Sequence, residues 1–101
     1  MIQIQNYING QLINSKSGNY LDNFEPATGQ IYSQIPDSNE ADLELAVSAA
    51  RSAQSTWANT SAEKRAQILC KLAGLIDDNA DELAKAEAID NGKPLAFAKS
   101  P

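Results

Sequence analysis

The sequence predicts an α+β fold in which β-hairpins are followed by helices. Three observations carry that reading. Asn9-Gly10 separates two short apolar runs, and Pro26-Ala27-Thr28-Gly29 separates two longer strand-like runs. Beyond Ser38 the apolar spacing changes from alternation to three and four. Hairpins are therefore expected over residues 1–37 and helices over residues 38–101.

Tyr7-Ile8 and Leu12-Ile13 flank the Asn-Gly pair. A two-residue type I′ turn needs positive φ at both central positions, which Asn and Gly tolerate. Ser15-Lys16-Ser17-Gly18-Asn19 reads as a loop. Tyr20 to Glu25 and Gln30 to Ile35 form the second pair. Pro26 presets φ for the first half of their turn, and Gly29 frees the second half. Tyr20, Asp22 and Phe24 alternate with Leu21 and Asn23, the pattern of a half-buried strand.

From Asn39, the residues Leu43, Ala46, Val47, Ala50, Ala53 and Trp57 make one apolar stripe at helical spacing. Asn39 is the expected cap, with Glu40, Asp42 and Glu44 placing negative charge where the helix dipole favours it. Thr60-Ser61-Ala62-Glu63 matches a capping box and opens a second helix with the stripe Leu69, Leu72, Ala73, Ile76. Asp77-Asp78-Asn79 interrupts it. Asn79 with Glu82 offers a fresh cap, so a third helix is expected from about Ala80 to Ile89. Gly92 and Pro94 stop that helix. Leu95 to Lys99 begins a fourth helix, and the chain ends inside it at Ser100-Pro101, which this reading takes as truncation.

Composition narrows the function. Of the 101 residues 43% are hydrophobic, but 16 of these are alanine, and Leu, Ile, Val and Phe number only 21. That is close to the roughly 20% below which chains tend toward disorder. Such a core is thin, and the segment is expected to be poorly packed by itself. Eight basic residues face thirteen acidic ones, for a net charge of −5. No basic stripe is available to neutralise phosphates, so nucleic acid is an unsuitable partner. Anionic membrane surfaces are unsuitable for the same reason. No apolar run approaches the ~18 residues of a membrane span, and Met1 to Asn6 lacks the order of a secretion signal. A cytoplasmic location is expected.

One cysteine and no histidine remove further chemistries. No disulfide closes within the chain, no Cys/His zinc site is available, and histidine-based nucleophilic catalysis lacks its base. Cys70 is the one conceivable nucleophile, yet it sits mid-helix without a base within a turn, so packing is its expected role. Asp37 to Asp42 resembles half of a calcium loop. Asp42 and Ser48 stand where that loop needs glycine and glutamate, so helix capping is the better reading. Asp77, Asp78, Asp81 and Glu82 are expected to cap and face water rather than perform acid–base work. Glycines at 10, 18, 29, 74 and 92 match no phosphate-binding spacing.

The order of elements and the words at their joints resemble the N-terminal segment of the aldehyde dehydrogenase superfamily. The carriers are Tyr7-Ile8-Asn9-Gly10, Glu25-Pro26-Ala27-Thr28-Gly29 and Ala46-Val47-Ser48-Ala49-Ala50-Arg51. They continue with Trp57, Glu63-Lys64-Arg65, Leu69, Leu72-Ala73 and Asp90-Asn91-Gly92-Lys93-Pro94-Leu95. The likeness runs from about Asn6 to Ser100. Tyr20-Leu21-Asp22-Asn23-Phe24-Glu25-Pro26 and Leu95 to Ser100 look most like the muconic semialdehyde dehydrogenases, with Glu25 where most relatives place Asn.

The resemblance implies that residues 1–101 open the Rossmann-like cofactor-binding domain of a longer enzyme. That enzyme would oxidise an aldehyde to the acid with NAD or NADP and would be a homo-oligomer. The family's catalytic residues and cofactor contacts lie later in the chain, so none is assigned here, and this segment alone is expected to bind no dinucleotide. Its partner would be the rest of the chain. Some family members hold a monovalent cation at positions matching Asn23, Phe24 and Asp90. Hard cations suit turn carbonyls and a carboxylate. The rival reading is a self-standing helical interaction module that presents the Leu43–Trp57 and Leu69–Ile76 stripes to a partner.

Overall fold

Asn9 and Gly10 take φ of 52° and 78°, the two positive values of a type I′ turn. The hairpin they close pairs β2 (Asn6–Ile8) antiparallel with β3 (Gln11–Ile13), Tyr7 standing opposite Leu12. The computed structural model describes residues 1–99. The expected break of a helix at Ser100-Pro101 lies outside them. The described chain divides into two compact units.

The first unit comprises residues 1–24 and 31–59. Beside the β2–β3 hairpin it holds a three-stranded sheet in the order β1-β5-β4, with β1 at Ile2–Gln3, β4 at Tyr20–Glu25 and β5 at Gln30–Pro36. β1 runs parallel to β5, Ile2 opposite Ser33, and Gln3 Nε2 donates to Gln34 Oε1 at 3.0 Å. No local signal marks so short a strand, because its partner lies some thirty residues away. The alternation read for β4 is not realised: Phe24 and Leu21 are exposed, while Tyr20, Asn23 and Glu25 are half-buried. The inner contact is polar, the Asn23 amide donating to Ser33 Oγ at 3.1 Å beneath the strand.

Helix α1 (Glu40–Ala58) is capped by Asn39 as expected, its Oδ1 accepting from the Asp42 amide at 3.2 Å. Of its stripe, Ala46 and Val47 are half-buried, but Leu43 is 64% exposed and Trp57 45%.

The second unit comprises residues 25–30 and the chain from Thr60. Helix α2 (Ala62–Asp78) is capped by Ser61, whose hydroxyl accepts from the Lys64 amide at 3.2 Å. The Thr60–Glu63 capping box is therefore shifted by one residue and loses its reciprocal glutamate. Thr60 offers its carbonyl to Arg65 Nη1 instead, at 2.7 Å. Asn79 also departs from the expected cap. Rather than capping α3 (Ala80–Asn91), its amide donates backwards to the Leu75 carbonyl at 2.8 Å and closes α2. That carbonyl also accepts the Asn79 backbone N–H at 3.1 Å, so the side chain adds a second donor where the helix runs out of following amides.

Gly92 ends α3 in the left-handed conformation, φ 77°. A short α4 (Leu95–Lys99) then packs on α3, with Lys99 Nζ 3.4 Å from Asp81 Oδ1. Ala84 on α3, 3% exposed, is the one fully buried hydrophobic side chain among the described residues. A Cβ at position 92 would stand 3.2 Å from Pro26 Cβ, so both the backbone and the space call for glycine. Gly92→Ala is expected to cost about 1–2 kcal/mol, the penalty of a side chain in that conformation. A fall in the denaturant midpoint of the complete gene product at unchanged slope checks it; an unchanged midpoint contradicts it.

Candidate functional site

The most tightly bonded polar group in the first unit is Asp42, 2% exposed at the third position of α1. Its Oδ1 accepts from the Lys16 amide at 2.7 Å. Its Oδ2 accepts from Ser15 Oγ at 2.6 Å and from the Asn39 amide at 3.0 Å. With the Asn39 side chain bonded in return, this completes a capping box that also ties down the 15–19 loop. Ser17 extends the tie, its Oγ donating to the Asp37 carbonyl at 2.6 Å. The Lys16 amide first, then the Ser15 hydroxyl and the Asn39 amide, hold the Asp42 carboxyl below its ordinary value; burial pushes the other way and is outweighed. The sequence reading placed Asp42 in a helix-capping acidic cluster and in the first-turn dipole, and the capping is realised. The Asn-x-x-Asp spacing of a reciprocal cap was the signal available, whereas the loop's contribution was not local.

Beside this anchor lies an open groove of about 770 Å³ between β2 and the start of α1, lined by Tyr7, Ile8, Ser38, Leu43 and Ala46 among others. A second open groove, of about 590 Å³, lies by the hairpin tip against Ala46, Ala49, Ala50 and Ala53. Alanines of α1 line the second groove, whereas the first also meets the polar residues Ser38, Asn39 and Glu40.

Of the three residues expected to hold a cation, two belong to the first unit and one to the second. Asn23, half-buried on β4, donates its amide to Tyr32 Oη and Ser33 Oγ, both at 3.1 Å, and Phe24 beside it is exposed. Both belong to the first unit. Asp90 is exposed in the last turn of α3, in the second. The cation reading of these residues rests on the resemblance. Among the described residues, no group of three or more His, Cys, Asp or Glu side chains is placed to hold a metal ion.

Cys70 is exposed on α2, outside any core, so its expected packing role is not realised within this chain. Asp77, Asp78, Asp81 and Glu82 are all exposed around the α2–α3 junction, as expected, but α3 starts without a side-chain cap, so their expected capping is not realised. Asp81 meets Lys99, and the rest face solvent. No described helix is long and apolar enough to cross a membrane.

Comparison with known proteins gives these features a setting. The chain is 37% identical, over 99% of its length, to a 2-aminomuconic semialdehyde dehydrogenase from Bos taurus. Its backbone superposes on an NAD-dependent aldehyde dehydrogenase from Sinorhizobium meliloti with a TM-score of 0.89 and 31% identity, covering 96% of this chain and 20% of that one. The structure of PnpE in complex with nicotinamide adenine dinucleotide gives 0.93 and 32%, covering 98% and 20%. The chain spans about a fifth of the length of the curated relatives it matches. The aldehyde dehydrogenase family model matches residues 12–100. Hairpin, capped α1, the Pro-Ala-Thr-Gly turn and the Gly92 stop all fall within or beside that match, and the chain belongs to the aldehyde dehydrogenase family.

Proposed function

We propose that this chain forms the N-terminal portion of an NAD(P)-dependent aldehyde dehydrogenase and opens its Rossmann-like cofactor-binding domain. The family match across residues 12–100 carries the reading. In the complete enzyme a thiolate from a later part of the chain would attack the aldehyde carbon. Bound NAD(P) would accept the hydride, and water would release the carboxylic acid. The present residues supply scaffold: the Asp42 anchor fixes the entry to α1, and the apolar faces of α1 and α2 await a sheet. A partner for those faces is the remainder of the same chain, which the self-standing-module reading does not explain.

The relative named for 2-aminomuconic semialdehyde directs the substrate proposal to an unsaturated semialdehyde carrying a carboxylate. The test is formation of reduced nicotinamide by the complete gene product. A muconic semialdehyde should give kcat/KM at least about tenfold above acetaldehyde, the least that one methylene's worth of extra pocket contact supplies. Turnover of acetaldehyde alone would discard the substrate but keep the enzyme class. No reduction with any aldehyde would discard both.

In the same enzyme Cys70→Ala should leave the turnover number within about threefold, because an exposed mid-helix thiol lacks the cation or helix N-terminus that activates a nucleophile. A thousandfold loss with folding intact would place it in the chemistry.

A further inference from the structure

The sequence contains two Asn-Gly pairs, Asn9-Gly10 and Asn91-Gly92, and the structure treats them in opposite ways. Asparagine followed by glycine is the pair most prone to deamidation, because no Cβ shields the glycine amide nitrogen that must attack. At the second pair both reacting groups are occupied. The Gly92 N–H donates to the Ala88 carbonyl at 3.0 Å, and Asn91 Oδ1 accepts from the Lys93 amide at 2.8 Å. Asn91 is also the last residue of α3, so its backbone is held in a helix. At the first pair the Gly10 N–H and the Asn9 side chain are free of hydrogen bonds, and both residues are exposed at a hairpin tip.

We propose that Asn9 is a site of spontaneous deamidation and that Asn91 is protected from it. The Gly10 nitrogen gives up its proton to solvent base and attacks Asn9 Cγ. A C–N bond forms, the Cγ–Nδ2 bond breaks, and ammonia leaves carrying the proton returned by solvent. One water then opens the succinimide at either carbonyl, giving aspartate or isoaspartate at position 9. No oxidant or cofactor enters. The type I′ turn must relax for the ring to close, and a two-stranded hairpin with three residues per strand opens easily. Closure at Asn91 requires the Ala88 and Lys93 bonds to break as well.

The product changes the first unit. Isoaspartate inserts a methylene into the backbone, so a two-residue turn no longer matches Ile8 to Gln11. Either product places a carboxylate at the rim of the groove lined by Ala46, Ala49, Ala50 and Ala53, where Asn9 now stands. An apolar segment seated in that groove would be weakened.

The test incubates the complete gene product in mildly alkaline buffer, folded and in denaturant, and follows each site by peptide mass and by enzymatic methylation of isoaspartate. In the folded protein position 9 should convert at least about fivefold faster than position 91, the factor one net hydrogen bond supplies. In denaturant the two rates should converge. Equal rates in the folded protein would overturn the proposal. So would faster conversion at Asn91, or a preference for position 9 that persists unchanged in denaturant.

Discussion

Residues 1–101 expressed alone should show helical far-UV circular dichroism, a weak near-UV signal from Trp57 and binding of an apolar-surface dye. The helices have the composition to form, since Ala, Leu, Glu and Lys fill α1 to α3. Their caps are in place, with Asn39, Ser61 and Gly92 at three of their ends. What is missing is something to pack against. Among the described residues Ala84 is the one fully buried hydrophobic side chain, while Leu69 on α2 is 58% exposed. Most helical stability in proteins comes from an apolar face buried against a neighbour, not from propensity. At about 25 cal/mol per Å², leaving these faces in water forfeits an amount comparable with the 5–15 kcal/mol margin of an ordinary domain. Secondary structure without fixed tertiary packing is the expected state. A sharp cooperative melt above about 60 °C from a monomer would contradict it, that being the behaviour of a well-packed mesophile domain. The self-standing-module reading would then become the better one.

Features that depend on a few neighbouring residues were legible in the sequence. Asn9-Gly10 specified its turn because only such residues tolerate two successive positive φ values, and Asn39 and Gly92 marked helix ends by equally local chemistry. Caps were misread where two candidates compete. Thr60 and Ser61 both offer a hydroxyl, and the winner depends on which amide each hydroxyl reaches. Asn79 stands between two helices and can serve either; the carbonyls ending α2 claimed it. Long-range pairings left no local trace. β1 has two residues, and its bond to Ser33 and Gln34 cannot be inferred from Ile2-Gln3. The β4 pattern failed for a related reason. Period-two alternation identifies two faces, but which face is covered depends on what packs there, and here Asn23 rather than Phe24 turns inward. The family reading succeeded because it draws on the order of such local words along the whole chain, which no single packing error disturbs.

In the complete gene product, Asp42→Ala should release the 15–19 loop from α1 and strip protection from the amides of Lys16 and Asn39 by at least about tenfold, the scale of a lost charge-assisted hydrogen bond. Both amides lose their acceptor, as does the Ser15 hydroxyl, and the cap on the Asp42 backbone remains as the sole part of the box. Asp42→Asn keeps the shape but turns one oxygen into a donor. That donor faces groups that also donate, so the loss should be intermediate rather than absent. The pH dependence follows from the direction of the shift. The folded carboxyl titrates below its ordinary value of 3.8 because three donors favour the anion. A lowered folded pKa means the stabilisation is complete above that ordinary value and drains away as pH falls through the lower one. Protection at Lys16 in the unsubstituted chain should therefore hold at neutral pH and decline in acid, after allowance for intrinsic exchange. In Asp42→Asn, which has no proton to gain, that acid decline should vanish. Hydrogen exchange read at Lys16 and Asn39 across the acid range distinguishes the cases. If Asp42→Ala leaves both amides protected within about twofold, the short distances around Asp42 do not hold the loop, and the anchor must lie in the Ser17–Asp37 contact instead.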